Sequence, residues 1–124
     1  MPARAAVAAV LAMSLGIAVP AAGAAPQEPE VAKLEARYAM AVRRAVTQQW
    51  TPPQIEAGAS CRVQVRQLPG GDVLAVEARP DCGFDAPAQD SLVRAVHRAA
   101  PLPYAGFEDV YVRDLTITFT APTP

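Results

Sequence analysis

Histidine is almost missing from this 124-residue sequence: His97 stands alone. Cysteine is nearly as scarce, with only Cys61 and Cys82. A structural histidine/cysteine metal centre needs four ligands, one more than these three residues can supply. The two cysteines also lack the Cys-x-x-Cys spacing of a dithiol redox motif. There is no Gly-x-Ser-x-Gly elbow, and Ser60 and Ser91 have no histidine but His97 to serve as base. An excess of one charge is missing too. Eleven basic residues face twelve acidic ones for a net charge of −1, which argues against nucleic acid or an anionic membrane as the main partner. No internal repeat is visible. These absences predict a chain that is not an enzyme, with no metal, no cofactor and no small-molecule substrate.

What is present begins with a leader. Arg4 forms a short positive region, and Ala5 to Val19 is uncharged and rich in Ala, Val, Leu and Met. Pro20 breaks that run, and Ala22-Gly23-Ala24 satisfies the small-x-small rule for cleavage. Residues 1–24 therefore read as a signal peptide cleaved near Ala24, directing the rest to export. The alternative is an uncleaved inner-membrane anchor, although the run is weakly hydrophobic for a permanent span. Residues 25–30 read as a flexible linker, 31–121 as one small domain and 122–124 as a tail. Export to an oxidising compartment makes a Cys61–Cys82 disulfide the default reading, with a redox pair or metal site as the alternatives. In the chain-entropy account such a loop closure is worth roughly 3 kcal/mol.

Within the domain, Val31, Leu34, Tyr38, Ala41, Val42, Ala45, Val46 and Trp50 recur at helical spacing. Pro52-Pro53 ends that helix, and Arg43-Arg44 reads as part of its solvated face. Cys61, Val63 and Val65 alternate with Arg62, Gln64 and Arg66, as in a strand buried on one side. Pro69-Gly70-Gly71-Asp72 supplies turn chemistry, and Val73 to Ala78 is the return strand. Asp85 is a candidate N-cap with Pro87 in the first turn of a second helix. Ala88, Leu92, Val96 and Ala99 form its apolar stripe, Asp90 and Arg94 sit at ion-pair spacing, and Pro101-Leu102-Pro103 stops it. After an irregular Tyr104–Val112 segment, a strand over Asp114–Thr120 turns Leu115, Ile117 and Phe119 one way and Thr116, Thr118 and Thr120 the other. The predicted class is α+β in the order α-β-β-α-β: a three-stranded antiparallel sheet with two helices packed on one face.

From Tyr38 to Ala121 this pattern resembles the C-terminal domain of TolA, and more distantly that of TonB. The resemblance is carried by Tyr38 through Trp50 with Pro52-Pro53, by Cys61 to Leu68 with Pro69-Gly70-Gly71-Asp72-Val73, by Phe84-Asp85, by Arg94 to Pro103, and by Leu115 to Phe119. It implies a periplasmic protein-interaction module of the cell envelope, binding by β-strand addition. The partners it implies are TolB or other Tol-system components, and colicins or a filamentous phage coat protein. Some domains of this family also resemble the chain in the placement of their two cysteines. TolA's stalk is not seen here, and the N-terminal apolar segment has no histidine or acidic residue for coupling to a proton-driven motor. Energy transduction is therefore not carried over.

The candidate partner-binding edge is the closing strand: Leu115, Thr116, Ile117, Thr118, Phe119 and Thr120. Its threonines keep the outer face polar without the lysines that often block an edge. The alternative is a plain core strand whose edge the Tyr104–Val112 segment covers. His97 reads as a solvated residue at a helix end, and Asp81, Asp85 and Asp90 read as turn, cap and helix pair. A second function class is a small periplasmic hydrolase or enzyme inhibitor on the same scaffold, with Asp81–Phe84 as the inhibitory loop.

Overall fold

The computed structural model describes residues 28–122. The leader assigned to residues 1–24 lies outside these, as do the first part of the linker and the end of the tail. Five elements follow in chain order: α1 (Glu28–Gln48), β1 (Ser60–Gln67), β2 (Val73–Ala78), α2 (Ala86–Ala99) and β3 (Asp114–Thr120). The α-β-β-α-β order is as expected. One boundary differs: α1 begins at Glu28, inside the stretch 25–30 expected to be linker. Glu28 and Glu30 occupy the first turn, where the positive end of the helix dipole favours acidic side chains. No helix among the described residues is long and apolar enough to cross a membrane.

The sheet is antiparallel in the order β2-β1-β3, so the first strand of the sequence is the central one. β1 buries Cys61, Val63, Val65 and Gln67, and β3 buries Leu115, Ile117 and Phe119. Against this face pack Tyr38, Val42 and Val46 of α1 and Ala88, Leu92, Ala95 and Val96 of α2. β2 does not alternate cleanly. Its register against β1 skips Leu74, which bulges out and is 54% exposed, while Val73 and Val76 on either side are half-buried.

Three local devices hold the helices to the sheet. Trp50, just beyond α1, stacks on Phe84 at 6.0 Å and meets the edge of Phe119 at 6.4 Å. Its indole N–H donates to Ser91 Oγ at 2.9 Å, so the polar atom of the ring is satisfied as the ring is buried. At the start of α2, Asp85 accepts from the Ala88 amide at 3.0 Å, the expected N-cap. At its end, the Leu102 amide donates to Gly71 O at 2.8 Å, which docks the Pro-Leu-Pro segment on the β1–β2 turn. Cys61 and Cys82 are joined by a disulfide. It ties the central strand to the loop before α2.

Candidate partner-binding edge

The hydrogen-bond phase of β3 fixes which backbone groups face outward. At its two ends Gln67 N donates to Arg113 O, and Ala121 N donates to Ala59 O. Antiparallel ladders alternate strictly, so residues 113, 115, 117, 119 and 121 turn both backbone groups toward β1. The register pairs Cys61 with Phe119, Val63 with Ile117 and Val65 with Leu115. Asp114, Thr116, Thr118 and Thr120 therefore turn their N–H and C=O groups away from the sheet. Among the described residues, no backbone group outside the β1–β3 ladder bonds to these four residues.

The Tyr104–Val112 segment folds on itself instead of running along the edge. Phe107 N donates to Tyr104 O, and Val110 N and Tyr111 N donate to Phe107 O. Its link to the sheet runs through Gln67. Tyr111 Oη donates to Gln67 O at 2.9 Å, and Gln67 Nε2 donates to Val112 O at 2.9 Å.

α1 flanks the same margin. Met40, Arg43, Arg44 and Thr47 lie one turn apart along its exposed side and line a shallow trough. Arg43 Nε donates to Thr118 O at 3.1 Å. Arg43 is thus more than a solvated helix-face residue, which is a correction to the expectation for Arg43-Arg44. The opposite edge, β2, is shorter and interrupted by the Leu74 bulge, a feature that twists an edge away from pairing.

The other sequence candidates fall elsewhere. His97 is exposed near the C-terminal end of α2. Ser91 is engaged by Trp50, and Ser60 is exposed at the start of β1. Asp90 and Arg94 do not form the expected ion pair: among the described residues the pairs within 4 Å are Arg62–Asp81 and Arg66–Asp114. An exposed helical pair gains too little in water to hold two flexible side chains together. The Asp81–Phe84 loop is fastened down. Asp81 accepts from Arg62 at 2.7 Å, and that hydrogen bond holds its carboxyl below the usual range. Gly83 N donates to Ser60 O at 2.7 Å, and Phe84 is buried. Among the described residues no three metal-capable side chains cluster.

Gln67 escaped the sequence reading. Its position in the alternation of Cys61, Val63 and Val65 places it inward, and it is fully buried. Nε2 also donates to Tyr38 Oη at 2.7 Å. Gln67 Oε1 has no partner among the described residues. The parity of β1 was the signal that could have found it.

Comparison with known proteins bears on the family and the fold. The family described as TonB C terminal matches residues 35–119. The solution NMR structure of TolAIII bound to a peptide derived from the N-terminus of TolB is similar to this fold, with a TM-score of 0.54 and 28% sequence identity. The match covers 69% of this chain and 73% of that one. No curated protein shows a significant match.

Proposed function

This chain belongs to the TonB C-terminal family, and on that premise we propose that it is a non-catalytic periplasmic module that binds an extended segment of a partner protein along β3. The observation that carries the reading is the set of outward backbone groups on Asp114, Thr116, Thr118 and Thr120, on a strand with unbroken register. A polypeptide laid beside them would make main-chain hydrogen bonds for affinity, and its alternate side chains would meet α1 for specificity. The similar TolAIII structure holds a peptide from the N-terminus of TolB, and a segment of that type is the partner proposed here. Its place in the envelope would follow from a leader cleaved near Ala24.

The test is a titration of the ¹⁵N-labelled domain with a peptide from the N-terminus of TolB. The reading expects the largest amide shifts at residues 114–120. Shifts centred on residues 81–84 or on β2, with residues 114–120 unmoved, would overturn it.

A further inference from the structure

The margin of β3 carries one side-chain bond, on a carbonyl that a partner strand would also use. Thr118 O is an outward acceptor, and Arg43 Nε–H already donates to it at 3.1 Å. An added strand needs the same carbonyl for one of its own N–H groups. We infer that Arg43 is a specificity-determining latch on this edge: it guards Thr118 O when the edge is empty, and it selects strands whose acidic side chain takes over the displaced guanidinium. This inference rests on the strand-addition reading above and names the chemistry of the ligand.

The surroundings favour an acid. From Arg37 to Gln48, α1 carries three arginines and no aspartate or glutamate. Arg43 and Arg44 are both exposed. On the elements facing Arg43, the acidic groups are spoken for or distant in register. Asp114 of β3 lies four residues from Thr118 and is paired with Arg66 at 3.0 Å. On β1, Arg62 lies opposite Thr118 and is paired with Asp81. Among the described residues the guanidinium therefore has no carboxylate of its own, and it is held by a neutral carbonyl. Exchange of that carbonyl for a ligand carboxylate replaces a neutral acceptor by a charged one, the stronger arrangement. A neutral strand takes the carbonyl and returns nothing to Arg43. A basic strand adds repulsion.

The trough adds a second requirement. Met40 lies one turn before Arg43–Arg44 and is 55% exposed, a large apolar group with no cover. Thr47 lies one turn after Arg43, and its Oγ1 donates to Arg43 O at 2.7 Å. One helical turn places neighbouring side chains about 5–6 Å apart. Residues i and i+2 of a strand share a face about 6.6 Å apart. An extended segment with an apolar residue and an acidic residue two positions apart therefore matches Met40 and Arg43 at once.

The test uses the labelled domain and three ten-residue peptides that alternate valine and threonine. Each carries a leucine and, two residues on, a glutamate, a glutamine or a lysine. The inference expects the glutamate peptide to bind about three- to fivefold more tightly than the glutamine one, as for an exposed ion pair, and the lysine peptide more weakly than either. Arg43→Ala should bring the glutamate-to-glutamine ratio to about one without weakening the glutamine peptide. Arg44→Ala should keep a preference. If the peptides shift residues 114–120 with equal affinity, or if Arg43→Ala keeps the preference, the latch is wrong and the edge reading stands. If neither these peptides nor the TolB peptide shifts that strand, both fall.

Discussion

Gly71 and Leu102 are in direct backbone contact: a Cβ built on Gly71 would lie 2.1 Å from Leu102 O, and Leu102 N donates to Gly71 O. Gly71 also has φ +97°, where side chains are disfavoured. The turn between β1 and β2 is thus a seat for the segment that ends α2. Gly70 has φ +99° with open space around its Cβ position. Chemical denaturation should show Gly71→Ala destabilised by at least about 3 kcal/mol and Gly70→Ala by only about 1–2 kcal/mol, the difference being the clash added to the dihedral strain. Equal losses would mean that the docking contributes nothing.

Tyr38 and Gln67 form the buried polar contact between α1 and the central strand. Gln67→Met removes the donor from both Tyr38 Oη and Val112 O and should cost about 1–3 kcal/mol. Tyr38→Phe in the same background should cost less than it does alone, with a coupling of at least about 0.5 kcal/mol in a double-mutant cycle.

Burial raises the Tyr38 phenol above its usual 10.0, the Gln67 hydrogen bond opposes this, and Tyr111 adds to the rise. A raised folded value means that the native state holds its proton longer than the unfolded chain does. The stability it contributes is complete below pH 10 and is lost as pH climbs through the folded value. Wild type should therefore lose stability more steeply above about pH 10 than Tyr38→Phe, which urea midpoints against pH will show.

The Cys61–Cys82 bridge closes a loop of known length. Replacing both cysteines by alanine should cost roughly 3 kcal/mol in the chain-entropy account. Asp85→Ala removes the α2 cap and should cost about 1 kcal/mol. Cys82 and Asp85 are three residues apart in one loop, so the two losses should show coupling in a double-mutant cycle.

Thr116→Pro separates the edge from the fold. The Thr116 N–H points outward, so proline removes no bond of the β1–β3 ladder, and edge strands accept proline. The variant should stay folded, with its other amide signals near their wild-type positions, and should bind the TolB peptide at least about tenfold more weakly, since a donor is lost and the ring obstructs the margin. Ile117→Pro breaks a ladder bond and should destabilise the domain itself by about 3 kcal/mol or more.

Much of the fold was legible in the chain because its local signals agree. The alternation of Leu115, Ile117 and Phe119 with three threonines fixed β3, and Asp85 with Pro87 fixed the start of α2. The strand order was not legible. Nothing local in Ser60–Gln67 says that this strand sits between the other two. That follows from the whole sheet, where β1 alone is paired on both sides. The apolar run Val73–Val76 hides the bulge in β2, because period alone cannot register a skipped residue. The side-chain alternation of β3 leaves the candidate edge as six residues without distinction. The ladder phase divides them: Thr116, Thr118 and Thr120, with Asp114, carry the outward backbone, while Leu115, Ile117 and Phe119 bond inward to β1. Arg43 was hidden because a helix-face arginine and a strand carbonyl are 75 residues apart in sequence, and such a contact leaves no local pattern.

The most direct measurement is a set of isotope-edited nuclear Overhauser contacts between a bound TolB peptide and the labelled domain. The account predicts backbone-to-backbone contacts from the peptide to Asp114, Thr116, Thr118 and Thr120, with slowed exchange of the outward amides on binding. Contacts confined to side chains of α2, to the Leu74 edge or to the Asp81–Phe84 loop would contradict it.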